Sequence, residues 1–441
     1  MIRINLNNKK SLFLIVFSLL FALGISQIIS ISLGNLLFTI LIGLVFVSVK
    51  IDQAFVLIFS LLPFFNFFTV QIGSTSLFYI FVIVFMFKYI VYKKYKISKI
   101  KVLILTILLV DRIFSFDFLE LSKWWVLFSF LVISYNEDFA NKNLKNVVKY
   151  LTYSYILASA FGYYMHINGL SIYTNSYVYS KEFGATTRFA GLVGDSVFYG
   201  QFSAVIISAN LVLGFFEKNK RSIIKMYCSV ILITLFTLLS YSKTGILLCV
   251  ACILGYAICL IIKNSKSRKT IIKSLLIIFV LIVGFILLIR YIVANADNAM
   301  ISNYITRFTA ADLFTGRNEI AEHYIDLIQS NYKHIFVSMT QKDYFSPFSP
   351  NGITMINRSH NIYIETICCF GLIPTIIIML WFLKRIFYVF KAKKELIILM
   401  PLVVMILTGF VLHGHFESQY YFLISLSLLM ISSKEYIYKG E

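Results

Sequence analysis

Long apolar runs separated by short polar breaks repeat along almost the whole chain. Runs of about 18 or more apolar residues read as membrane-spanning helices. The pattern predicts helices near 11–32, 34–49, 53–71, 76–92, 102–118, 121–136, 148–167, 196–216, 225–241, 244–263, 273–293, 362–383, 396–412 and 418–433. The fifth and sixth are interrupted by Asp111, Arg112, Asp117 and Glu120. The expected fold is an all-α polytopic integral membrane protein with about 14 transmembrane helices (12–14). It forms a single transmembrane domain over 1–441, with no repeat and no Pro- or Ser-rich linker. The first helix is too long for a signal-peptide core and is expected to be retained.

Composition agrees with the pattern: 59% of the 441 residues are hydrophobic and 14% charged. The net charge of +20 raises the question of a nucleic-acid partner, and its distribution answers it. With both termini placed in the cytoplasm, 29 of the 40 lysines and arginines fall inside or at inner helix ends and 11 outside. That is the positive-inside bias, so the basicity marks topology and no nucleic acid is expected. All six cysteines sit in predicted helices, so no extracytoplasmic disulfide framework is implied.

Three outside loops are long enough to matter: loop A over 167–195, loop B over 294–361, and a short one over 413–418 that joins the last two helices. Loop B, the large extracytoplasmic loop, exceeds ordinary connection lengths. Within it Ile320, Tyr324, Leu327 and Ile328 recur at helical spacing, predicting an amphipathic helix on the membrane surface.

Polar islands punctuate this lipid-soluble chain, and all are expected on one side of the membrane. They are Arg188-Phe-Ala-Gly, Ser242-Lys243-Thr-Gly, Thr315-Gly316-Arg317 and Ser359-His360-Asn361. Ionisable groups persist near a bilayer where they pair or work. Arg188 is either an interfacial arginine snorkelling to headgroups or a bidentate phosphate ligand. Asp195 either orients it or caps the following helix. Lys243 sits in so short a turn that it either marks the interface or points into a cavity. Thr315-Gly316-Arg317 is either an ordinary helix start or an anion site at one. His360 is either a capping residue or a general base. Around it stand Arg358, Asn361, Tyr363 and Glu365, which with Lys243, Asp195 and Gly316 form the candidate substrate-binding set. His413, His415 and Glu417 match no strong metal motif, and no metal or other cofactor is expected.

Taken in order, these islands resemble the O-antigen polymerase and O-antigen ligase superfamily of bacterial envelope glycosyltransferases. The matching run is Arg188-Phe-Ala-Gly, Ser242-Lys-Thr-Gly, Thr315-Gly-Arg317, then Ser359-His-Asn-Ile-Tyr-Ile-Glu365 followed by Gly371-Leu-Ile. Ten or more spans with one large outside loop before the third-last helix add to the likeness, which covers roughly 150–385. Two departures stand out: Lys243 where the family often has arginine, and Asp195-Ser196-Val197 where an Asp-Pro-Asn-like turn is common.

The resemblance implies polymerisation of undecaprenyl-pyrophosphate-linked oligosaccharide repeat units on the outer face of the cytoplasmic membrane, into O-antigen or capsular polysaccharide. Arg188, Lys243 and Arg317 would hold the pyrophosphate and stabilise its leaving charge, and His360 would take the proton of the attacking hydroxyl. With cations on the protein, transfer would be metal-independent and inverting. The implied partners are the lipid-linked oligosaccharide, the bilayer, a chain-length regulator and a flippase. Two alternatives remain open: a ligase transferring to lipid A core, and, in a different class, a lipid-linked oligosaccharide flippase.

Overall fold

The computed structural model describes residues 9–30, 32–68, 76–93, 137–170, 174–180, 184–263, 317–339, 358–391, 395–412 and 418–433, plus isolated positions such as Tyr344. The expected spans at 102–118, 121–136 and 273–293 lie outside the described stretches, as do Thr315, Gly316 and the His413–Glu417 loop. The described chain is helical: α1 Lys9–Ile28, α2 Ser32–Ser48, α3 Ile51–Leu61, α4 Phe78–Lys93, α5 Glu137–Ile167, α6 Ser196–Phe216, α7 Lys220–Leu239 and α8 Lys243–Lys263. It continues with α9 Arg317–Gln329, α10 Ile362–Phe370, α11 Leu372–Lys391, α12 Met400–Gly409 and α13 Ser418–Ser432. Among the described residues six helices are long and apolar enough to cross a membrane.

Burial sorts these helices into centre and rim. The Ser196–Phe216 span is 83% buried and Ile51–Phe68 78%, whereas Leu372–Lys391 is 22% buried. Rim positions such as Leu33 (75% exposed) and Leu14 (70%) are large and apolar, as a lipid-facing surface requires. Four cysteines are buried and all six are free thiols.

At one end of the bundle, lysines close the helix C-termini. Lys88 on α4 donates to the carbonyls of Phe46 (3.0 Å), Val47 (2.5 Å) and Val49 (2.7 Å) at the end of α2. Lys263 donates to the Phe215 carbonyl at 3.2 Å near the end of α6. These contacts complement the negative end of each helix dipole. Lys142 pairs with Asp52, and Lys145 with Glu217 at 2.5 Å, which holds the Glu217 carboxyl below its usual range. These lysines and their acidic partners lie in or next to segments expected inside, and in the structure the lysines close helix ends or pair with carboxylates.

Several expectations need correction. The chain is helical as expected, and among the described residues loop A is the exception. It folds into an antiparallel hairpin, β1 Asn175–Ser180 with β2 Gly184–Phe189, in register Asn175↔Phe189 and Ser176↔Arg188. The runs Ser-Tyr-Val-Tyr-Ser and Ala-Thr-Thr-Arg-Phe carry the β-branched and aromatic residues that favour strands. Next, α3 tightens into a 3-10 turn over Leu62–Phe68, where Pro63 cannot donate to the α-helical ladder. The span expected at 362–383 is two helices, α10 and α11, parted at Gly371. Its φ of +83° excludes a side chain, and an added Cβ would lie 3.0 Å from the Phe336 backbone.

The amphipathic helix exists as α9, but its apolar face meets protein and not the membrane surface. Ile320 and Tyr324, each 1% exposed, pack with Met339, Tyr344 and Cys368, beside Leu327 and Ile328. The short helix α10 offers a protein surface for the stripe to bury against, and Met339 N–H donates to the Cys368 carbonyl at 2.8 Å.

The orientation is open to a direct check. In a cysteine-free background, Tyr332→Cys, in loop B at 82% exposure, is expected to react with an impermeant thiol reagent in intact cells. Lys218→Cys, in the exposed α6–α7 connector, is expected to react only after permeabilisation. The reverse pattern inverts the topology.

Candidate active site

The hairpin delivers Arg188 to the other end of the bundle. Phe189 is fully buried, with its ring 5.1 Å from Tyr199, 5.8 Å from Tyr163 and 5.6 Å from His166. Strand alternation puts Arg188 on the face opposite this anchor. The chain then turns at Gly191, with φ +61°, where a Cβ would lie 2.4 Å from the Tyr199 ring. Asn66 Nδ2 fastens the turn by donating to the Leu192 carbonyl at 2.6 Å. Arg188 is partly buried, and its Nε is buried without a hydrogen-bond acceptor among the described residues. Asp195 takes the capping role: Oδ1 accepts from the N–H groups of Val197 (2.7 Å) and Phe198 (3.0 Å) at the start of α6.

Lys243 opens α8 on a turn of similar economy. Tyr241 takes φ +52° and Ser242 caps α8, its Oγ accepting the Gly245 N–H at 3.2 Å. A Cβ on Gly245 would lie 2.6 Å from the Gly200 Cα, so two glycines let the first turns of α8 and α6 touch. The glycines ending the first two motifs therefore serve close backbone approach. Lys243 itself is partly buried.

His360 reaches the same end through α12. Gln201 on α6 donates to Thr408 Oγ1 at 2.5 Å. A Cβ on Gly409 would come within 2.6 Å of Ile362, and the Tyr363 hydroxyl donates to the Ile406 carbonyl at 2.7 Å. Tyr363 is thus engaged with α12. The cap of α10 is Asn361, whose Oδ1 accepts from Tyr363 N–H (3.0 Å) and Ile364 N–H (3.2 Å). His360, partly exposed, is therefore not the cap; it occupies the left-handed region at φ +47°. Arg358 is partly buried just before this turn.

Glu365 is fully buried and accepts the Tyr344 hydroxyl at 3.0 Å. Burial, reinforced by the Glu365 charge, pushes the Tyr344 hydroxyl far above its ordinary range and keeps it a donor. Tyr344 escapes a motif search because it lies outside every polar island.

The motifs of Arg188, Lys243 and His360 are thus joined through Tyr199, Gly200 and Gln201, in the first two turns of the central helix α6. Two of the three non-glycine residues with positive φ among the described residues, Tyr241 and His360, sit at these motifs. Such backbone conformations cost energy and collect at functional sites. Arg317 starts α9, which docks on α10; its backbone is described and its side chain is not. Gly316 lies outside the described residues. Among the described residues no three His, Cys, Asp or Glu side chains assemble as a metal centre.

An end that gathers cations, a histidine and buried hydroxyls beside apolar spans suits an anionic headgroup carried on a lipid. No curated protein and no solved structure matches the chain. A family model does, the one described as O-antigen ligase, over residues 228–379, a stretch that holds Ser242, Lys243, Arg317, His360 and Glu365. The match places residues 228–379 of this membrane protein, with its spanning helices, in the O-antigen polymerase and ligase superfamily.

Proposed function

We propose that this protein polymerises undecaprenyl-pyrophosphate-linked oligosaccharide repeat units at the outer face of the cytoplasmic membrane, with both termini cytoplasmic. The observation that carries the reading is Arg188, whose buried Nε meets no acceptor among the described residues and whose turn is joined to those of Lys243 and His360 through the first turns of α6 and through α12. A guanidinium in that condition is suited to a phosphate oxygen.

In the proposed reaction, Arg188, Lys243 and Arg317 hold the donor diphosphate. His360 accepts the proton from a sugar hydroxyl of the acceptor repeat. That oxygen attacks the anomeric carbon from the side opposite the diphosphate, and the bond to the diphosphate oxygen breaks with its electron pair. Fixed cations stabilise the charge gathering there, and the anomeric centre inverts. A flippase supplying the donor and a chain-length regulator are the proposed partners.

The description of the matched family supports a second reading, transfer of a finished glycan to lipid A core. Transport is disfavoured because its sites are expected near the bilayer midplane between pseudo-symmetric halves, whereas these motifs gather at one end. Deleting the gene and resolving the surface glycan on a gel separates the enzymes. Loss of the long-chain ladder with a single capped repeat retained is the expected result. Loss of all capping overturns polymerisation in favour of ligation.

A further inference from the structure

We propose that Tyr344 and Glu365 are positioning residues that hold the His360 turn in its reactive conformation. The inference rests on the reading of His360 as the base.

A residue at φ +47° is held there by its surroundings, since the left-handed region costs a non-glycine residue energy. Both flanks of His360 are clamped. On the C-terminal side Asn361 caps α10. On the N-terminal side Ser359 is 1% exposed, and its Oγ reaches across His360 to donate to the Asn361 carbonyl at 3.0 Å. The Ser359 N–H points at the Tyr344 hydroxyl oxygen at 3.4 Å, a long bond that gains from burial. The same hydroxyl donates to Glu365 Oε1 at 3.0 Å. Tyr344 is itself fixed, because its carbonyl accepts the Tyr324 hydroxyl at 2.8 Å.

The hydroxyl thereby bridges the backbone before His360 to a carboxylate one turn into α10, and Tyr324 ties the bridge to α9. Glu365 is fully buried and engaged by Tyr344, which fits a fixed support better than a sugar ligand. A displacement of about 1 Å at a reacting group costs about 10²-fold in rate, so a bond this remote can matter.

The test uses purified full-length protein, with turnover measured on lipid-linked repeat units extracted from cells lacking the gene. Binding is measured separately with undecaprenyl diphosphate. Tyr344→Phe is expected to lower kcat by about 10²-fold, with little change in Kd for undecaprenyl diphosphate. Glu365→Gln, which keeps the acceptor oxygen, is expected to recover most of the turnover lost in Glu365→Leu. Tyr344→Phe alone takes a hydrogen-bond donor from a buried carboxylate and can unfold the protein, so the decisive variant is Tyr344→Phe with Glu365→Leu. Removing both partners takes the buried carboxylate away together with its donor, at the loss of the long Ser359 N–H contact, and is expected to recover thermal stability, while kcat stays low if the pair positions His360. Normal kcat in that stable double variant overturns the inference alone when His360→Ala is inactive. Normal kcat in His360→Ala overturns both the inference and the reading beneath it.

Discussion

His360→Asn is expected to lose turnover by about 10²–10⁴-fold, the span that general-base assistance supplies, while folding normally and binding undecaprenyl diphosphate as the parent does. Asparagine is the right probe because of two structural facts. Asn361 and not His360 caps α10, so removing the imidazole costs no cap. His360 holds φ +47°, a conformation that asparagine tolerates among the best of the non-glycine residues. The substitution keeps the turn and removes the basicity. If His360 acts only through backbone shape, His360→Asn and His360→Gly will both polymerise normally in the purified system. If it is the base, both will fail, and neither will lose affinity for the diphosphate, since that is held by the cations.

Among the described residues, helices at expected spans were legible in the sequence because their signal is local. A long apolar run is a property of consecutive residues, and the starts of α6 at Ser196 and α13 at Ser418 coincide with the expected ones. The misreadings came where hydropathy stayed high while the backbone changed state. Residues 362–383 are almost uninterruptedly apolar, so only Gly371 and Pro374 marked the break between α10 and α11. The start of α5 erred the other way, since Glu137–Lys149 is too polar to span yet continues the helix. The apolar stripe of α9 was legible, but the surface that covers it, built from Met339, Tyr344 and Cys368, comes from residues distant in sequence.

The candidate site divides along the same line. The order of the polar islands was readable, and so were the residue types able to bind phosphate or move a proton. Which of two plausible roles each residue takes was not. Asp195 and Asn361 turn out to cap α6 and α10, roles that depend on backbone N–H groups the sequence does not display. The packing role of Gly191 and Gly245, the glycines of the first two motifs, was likewise not displayed. They are the points where α5 and α8 meet the Gly191 turn and Gly200 at contact distance. Tyr344 carried no signal at all, because its partner Ser359 is 15 residues away and Glu365 lies 21 away.

Arg188→Ala is expected to abolish most polymer formation while leaving thermal stability unchanged or raised. The activity loss follows from removing a charge-assisted contact made as the diphosphate leaves, about 2–4 kcal/mol or 10²–10³ in rate. The stability gain follows from the buried Nε, which meets no acceptor among the described residues. A buried donor without a partner costs roughly 1–3 kcal/mol, and alanine removes it. The hairpin survives the change, since its anchor is the buried ring of Phe189 and its turn is fixed by Gly191 and Asn66. Arg188→Lys keeps the charge but loses Nε and the planar fork, so it should fall between the two. Melting curves of the purified variants, beside turnover on lipid-linked repeat units, separate this from a packing role. An arginine kept for the fold would lose stability and activity together, whereas one held ready for a phosphate loses activity alone.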